Sequence, residues 1–119
     1  MHQLTVIGLG AADFDQLQMG VYKQLKQAKK LYVRTEDHPV LHDLKEEGVV
    51  FSSFDYVYEK HDTFAPVYKE IATLLIEAAK EEPVMYAVPG HPLVAEQTVQ
   101  YLIEAANEGQ VHLTIEGGQ

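Results

Sequence analysis

The chain has 119 residues, 46% hydrophobic and 23% charged, a length and balance that suit one globular domain with its own core. Eighteen acidic against nine basic residues give a net charge of −9, which argues against a polyanion such as DNA as the partner. The lack of cysteine excludes disulfides, thiolate metal sites and a cysteine nucleophile, and fits a reducing, cytoplasmic setting.

Met1-His2-Gln3 runs straight into an apolar strand rather than a secretory leader, and no apolar run reaches the ~20 residues that span a bilayer. That first strand covers Gln3–Ile7 and ends at Gly8-Leu9-Gly10. Asp13 or Asp15 then caps a helix with Leu17, Val21, Leu25 and Ala28 on one face. Gly20 within it costs about 1 kcal/mol relative to alanine. Lys30–Arg34 reads as a second strand, and Pro39 opens a short helix with Leu41 and Leu44 on its apolar face, stopped by Gly48. Val49–Phe54 is a third strand, followed by a polar, aromatic loop from Asp55 to Asp62.

The clearest helical periodicity starts near Thr63, with Val67, Ile71, Leu74, Leu75 and Ala78 at spacings of three and four. Glu81-Glu82-Pro83 ends it. Val84–Val88 is an almost wholly apolar strand, as expected where helices cover both faces of a sheet. Pro89-Gly90-His91-Pro92 breaks that strand. A further helix carries Ala95, Val99, Leu102, Ile103 and Ala106 inward and stops at Asn107–Gly109. Val111–Ile115 is a fifth strand, running into Glu116-Gly117-Gly118-Gln119.

Alternation of this kind predicts a single α/β domain over residues 1–119, three-layered, on a mostly parallel five-stranded sheet. A strand leading into Gly-Gly resembles a βα loop cut in the middle, so the natural chain is expected to continue.

In open α/β sheets ligands bind beyond the carboxyl ends of the strands, which selects the loops after Ile7, Arg34, Phe54, Val88 and Ile115. The Gly8-Leu9-Gly10 loop permits close backbone approach, but the third glycine of a dinucleotide fingerprint is replaced by Asp13, and a plain tight turn explains the pair equally well. Pro89-Gly90-His91-Pro92 is more unusual: two prolines bracket a glycine at a strand end, giving a shaped loop with backbone groups in fixed directions, suited to a small polar ligand or to a rigid helix entry. His38 and His42 are four apart, but Pro39 follows where a zinc-protease motif needs glutamate, so the pair reads as a surface helix face and no metal site is assigned. Lys23, Lys26, Lys29 and Lys30 form a basic cluster that reads as a solvated helix face rather than a nucleic-acid footprint. Tyr56, Tyr58 and Phe64 either line a pocket or pack under their loop.

Taken together these loops resemble the tetrapyrrole methylases, which methylate precorrins and uroporphyrinogen with S-adenosylmethionine. Gly8-Leu9-Gly10-Ala11-Ala12-Asp13 stands where that family has Gly-x-Gly-Pro-Gly-Asp. Gly90-His91-Pro92 stands for Gly-Asp-Pro, and Glu116-Gly117-Gly118-Gln119 for Pro-Gly-Ile-Thr/Ser. The run Arg34-Thr35-Glu36-Asp37-His38-Pro39-Val40 resembles the methylase-like half of YabN-type proteins, in which that domain is fused to a MazG nucleotide pyrophosphohydrolase.

The resemblance implies one lobe of a two-lobed enzyme with S-adenosylmethionine in the cleft. This chain is then the first lobe, a fragment inactive alone, with its own carboxyl-terminal lobe and possibly a second copy as partners and a small, tetrapyrrole-like molecule as substrate. Carried over by position, the cofactor contacts are Gly8, Gly10, Ala11, Pro89, Gly90, His91, Val94 and Gln119. Arg34 falls where some members have a proton-accepting acid, and Arg34 with His38 is the candidate pair on the substrate side. These departures support an alternative reading, a non-catalytic small-molecule sensor regulating a fused pyrophosphohydrolase. A flavodoxin- or Rossmann-like nucleotide domain is disfavoured by Asp13.

Overall fold

The computed structural model describes residues 2–9, 19–37, 39–88 and 97–117. Along them run β1 (Gln3–Gly8), α1 (Met19–Gln27), β2 (Leu31–Val33), α2 (Pro39–Glu46), β3 (Ser52–Ser53), α3 (Asp55–Lys60), α4 (Phe64–Ala79), β4 (Val84–Val88), α5 (Gln97–Asn107) and β5 (His112–Gly117). The strands form one five-stranded sheet in the order β3-β2-β4-β1-β5, and every pairing is parallel.

Strand alternation sorts the apolar side chains onto two faces. Leu4 and Val6 of β1 join Val84, Tyr86 and Val88 of β4 on the face covered by α4 and α5. Ile7 joins Leu31, Val33 and Ala87 on the face covered by α1 and α2. This is the three-layer arrangement that the sequence predicts. β4 matches its expected range residue for residue, because a strand buried on both faces has no polar position to blur its ends.

Elsewhere the boundaries move. Only Ser52–Ser53 of the expected Val49–Phe54 strand pairs with β2, since this is the sheet edge and one neighbour alone defines it. The segment expected as a loop from Asp55 is instead α3, held against the core by fully buried Val57. On α4 the buried stripe is Val67, Ile71, Ala72, Leu75 and Ala79, while the expected Leu74 and Ala78 are only half-buried. On α5, Thr98, Val99, Leu102 and Ala105 are buried, whereas Ile103 and Ala106 lie at the margin. Leu17 and Ala95 lie outside the described residues.

Two helices end on the same device. Gly48 takes φ +92° and Gly109 φ +81°. After α2, the Gly48 N–H donates to the Lys45 carbonyl at 3.1 Å and Val49 N–H to the Leu44 carbonyl at 3.0 Å. After α5, the Gly109 N–H donates to Ala106 at 3.0 Å and Gln110 N–H to Ala105 at 2.9 Å. These paired bonds satisfy carbonyls that a helix end leaves bare, and they need a left-handed residue. Val49 and Leu44 are both buried in the same cluster, completing the apolar contact of the motif.

One substitution therefore has opposite signs at two places. Gly20→Ala, in α1 with no atom within 4 Å of the added Cβ, is expected to raise the unfolding free energy by roughly 0.5–1 kcal/mol. Gly48→Ala meets no atom either, yet should lower it by about 1–2 kcal/mol through its positive φ alone. Urea unfolding of the two variants measures both.

Candidate functional site

The sheet's strand order fixes where its loops part. From β1 the chain moves towards β2 and β3, with α1 and α2 on one face; from β4 it moves towards β5, with α5 on the other. β1 and β4 are nonetheless neighbours, in register from Leu4↔Val84 to Gly8↔Val88. The Leu9 N–H donates to the Val88 carbonyl at 2.8 Å, so the two strands stay joined to their ends. The next described helices, α1 and α5, cover opposite faces, and an order that reverses in this way marks a crevice at the carboxyl edge.

Gly8 also registers with Gly117 of β5. The ends of β4, β1 and β5 therefore lie side by side, about 4.8 Å apart from strand to strand. All three loops singled out in the sequence leave from this one row. Of the candidate cofactor contacts, Gly8 sits at its centre. Gly10, Ala11, Pro89, Gly90, His91, Val94 and Gln119 lie outside the described residues, as does His38.

Arg34 leaves β2 beside β4, its N–H donating to the Ala87 carbonyl at 3.2 Å, and its side chain is half-buried. The turn that follows is tied down by a residue the sequence reading missed. Glu36 N–H donates to Asp55 Oδ2 at 3.0 Å, Asp37 N–H to Thr35 Oγ1 at 3.1 Å, and Asp55 N–H to Ser53 Oγ at 3.4 Å. Burial alone would raise the Asp55 carboxyl, but hydrogen bonds from the Glu36 N–H and from the hydroxyls of Thr35 and Ser53 outweigh it and hold the group below the usual carboxylate range. An acid in the first helical turn is a helix-start signal, and it is obscured here because Phe54 rather than a polar residue stands at the cap and α3 is too short to show a periodicity.

A second charged knot joins α3 to α4. Glu70 receives Lys60 Nζ on Oε2 and His61 Nε2 on Oε1, each at 2.7 Å, and these two partners depress its carboxyl. Above it the aromatics pack on one another. Tyr58 packs edge-on to Phe64 and Tyr68, while Tyr56 and Phe64 stay 55% and 64% exposed. His42 pairs with Glu46 at 3.4 Å on the surface of α2. In the first turn of α5, Thr98 is fully buried, and its Oγ1 has no hydrogen-bond partner among the described residues.

Comparison with known proteins gives a consistent set of relatives. The sequence model of the family described as Tetrapyrrole (Corrin/Porphyrin) Methylases matches residues 3–116. The uncharacterized protein YabN of Bacillus subtilis (strain 168) is 53% identical over 117 residues, which cover 98% of this chain and 24% of YabN. Among solved structures, a diphthine synthase superposes with a TM-score of 0.72 at 25% identity, covering 98% of this chain and 44% of its own. A cobalt precorrin-4 methyltransferase superposes with a TM-score of 0.69 at 21% identity, covering 98% and 46%. The chain thus spans about a quarter of the curated relative and less than half of the solved structures.

Asp55→Ala removes the acceptor that holds the Arg34 turn and should lower the unfolding free energy by about 1–2 kcal/mol at neutral pH. The folded carboxyl is depressed, so its stabilisation is complete above the unfolded-chain value and disappears as pH falls through the folded one. The gap between variant and parent should therefore begin to narrow as pH falls through the unfolded-chain carboxylate value of about 3.9 and go on narrowing below it. Urea unfolding across a series of pH values from neutral downward measures it.

Proposed function

The chain belongs to the tetrapyrrole (corrin/porphyrin) methylase family, and from that premise we propose that it forms the amino-terminal lobe of an S-adenosylmethionine-dependent methyltransferase. The observation that carries the reading is the parting of the chain between β1 and β4, with the ends of β1, β4 and β5 aligned beneath it.

The residues at this edge fit the proposed cofactor. Gly8 at the centre of the row carries no side chain to hold a ligand away from the backbone. The net charge of −9 suits a cationic ligand. S-adenosylmethionine supplies a methyl group already activated on a sulfonium, so the protein's share is alignment and exclusion of water. In this reading the loops after β1, β4 and β5 hold the cofactor largely through backbone groups, including Gly10, Ala11, Pro89, Gly90, His91, Val94 and Gln119.

In this reading Arg34 and His38 are the residues assigned to the substrate. A guanidinium forks onto a carboxylate with two parallel hydrogen bonds, so an acceptor bearing carboxylates, as a tetrapyrrole does, is the substrate class that suits Arg34. Asp55, which secures the Glu36 amide, sets the turn that follows. A second lobe completes the cleft, in keeping with solved relatives of about twice this length.

Calorimetry tests the reading on two lengths of protein. Residues 1–119 alone are expected to bind S-adenosylmethionine weakly or undetectably, and a chain carrying the second lobe to bind it tightly. Arg34→Ala in the longer chain should leave that affinity unchanged while weakening a carboxylate-bearing acceptor by about tenfold. Absence of cofactor binding in the longer chain would overturn the proposal, whereas binding without methyl transfer would favour the sensing role.

A further inference from the structure

At the opposite end of the sheet, we propose that the β3 edge and the lysines beside it form a docking site for an extended acidic segment of a partner protein. Its basic part lies at the amino ends of the strands, because Lys29 and Lys30 directly precede β2, while its second hollow reaches Glu36 in the turn after β2. It is separate from the crevice between β1 and β4 and stands independently of the methyltransferase reading.

The first observation is the edge itself. β3 is the outermost strand, and only Ser52 and Ser53 pair inward. The chain reaching it places Val49 in the core, Phe51 half-buried and Val50 87% exposed. The outer side of an edge strand presents N–H and C=O groups that another chain can pair with, and Val50 offers that chain an apolar contact beside them. Hollows of about 290 and 280 Å³ flank it, and Val50 and Phe51 line both. An added strand would lie about 4.8 Å from β3 and could place alternate side chains in these two hollows.

The second observation is charge. Residues 23–30 hold four of the nine basic residues and none of the eighteen acidic ones, in a chain of net charge −9. Lys26, Lys29 and Lys30 line the hollow of 280 Å³, and Lys45 lines the other. Local duties account for some of them. Lys26 lies in the last turn of α1, where a cation suits the helix end, and it also covers the Tyr22 ring at 5.6 Å. Lys30 covers Tyr32 at 5.6 Å. Lys29 has neither role among the described residues. Lys45 shares its hollow with Glu36, which it meets at 3.9 Å, so the unbalanced positive charge lies at the Lys26–Lys30 end of the apolar ridge. A segment with acidic side chains at that end and apolar ones along Val50 and Phe51 complements it.

Amide-resolved NMR tests this with a short capped peptide of alternating glutamate and valine. The peptide should shift the amides of Val50, Phe51, Ser52, Ser53 and Lys29, with affinity that falls as salt rises. Lys26→Glu combined with Lys29→Glu should weaken it by about tenfold. Val50→Lys should do the same, and unchanged melting temperatures keep lost folding from mimicking lost binding.

Four outcomes would overturn the proposal. They are equal binding by a lysine–valine peptide; shifts that map to β5 or the crevice; the same shifts at equal affinity with inorganic polyphosphate, making this a general polyanion site; and self-association of the free chain through Val50–Ser53, making the edge a contact between copies.

Discussion

A parallel sheet must bury both of its faces, and in this chain one pair of strands carries the consequence. β1 and β4 are central neighbours, yet their onward connections cover opposite faces. α1 buries Val21 and Leu25 on the Ile7 face, and α5 buries Val99 and Leu102 on the Tyr86 face. Burial therefore forces the chain apart at the carboxyl edge, and the crevice follows from the core rather than from any ligand. The tight joint below it, closed by the Leu9–Val88 hydrogen bond, keeps the roots of the two loops fixed while the segments diverge.

The other carboxyl-edge loops are secured by different means. Arg34 is fixed at its backbone by β4, and the turn after it by the Asp55 carboxylate. Phe54, one residue before Asp55, is buried between Tyr32, with which it stacks at 5.1 Å, and Tyr86, which it meets edge-on at 5.8 Å. An aromatic spine across β2, β3 and β4 thus positions an ionised group at the rim. Geometry at the edge depends on packing beneath it, which is why residues outside the crevice bear on what the crevice can hold.

Much of this was legible in the sequence. The strand positions, the parallel alternation, the Pro39 start and the Gly48 and Gly109 stops follow from local chemistry, and the last two depend only on their own backbone. What local chemistry could not supply was the strand order, because the pairing of Gln3 with His112 leaves no mark on either segment. α3 went unseen since six residues are too few for a helical period and tertiary burial of Val57 holds it in place. The β3 strand was overestimated because an apolar run at a sheet edge resembles one at the centre. At the site, sequence spacing singled out three loops, and the register of Gly8 with Val88 and Gly117 shows that they share one edge. Asp55 escaped notice because its role lies in hydrogen bonds to a turn nineteen positions away.

The place of β1 also sets an order of events. Its two partners are β4 and β5, so nothing in the first eighty or so positions can pair with it. β2 and β3 are the one pair of consecutive strands that lie side by side. As the chain emerges during synthesis, β2, α2 and β3 can assemble locally while β1, apolar and made before either of its partners, waits with both edges open. The crevice comes into being only when β4 arrives, and until then β1 is the segment most in need of protection from pairing with a strand that is not its own.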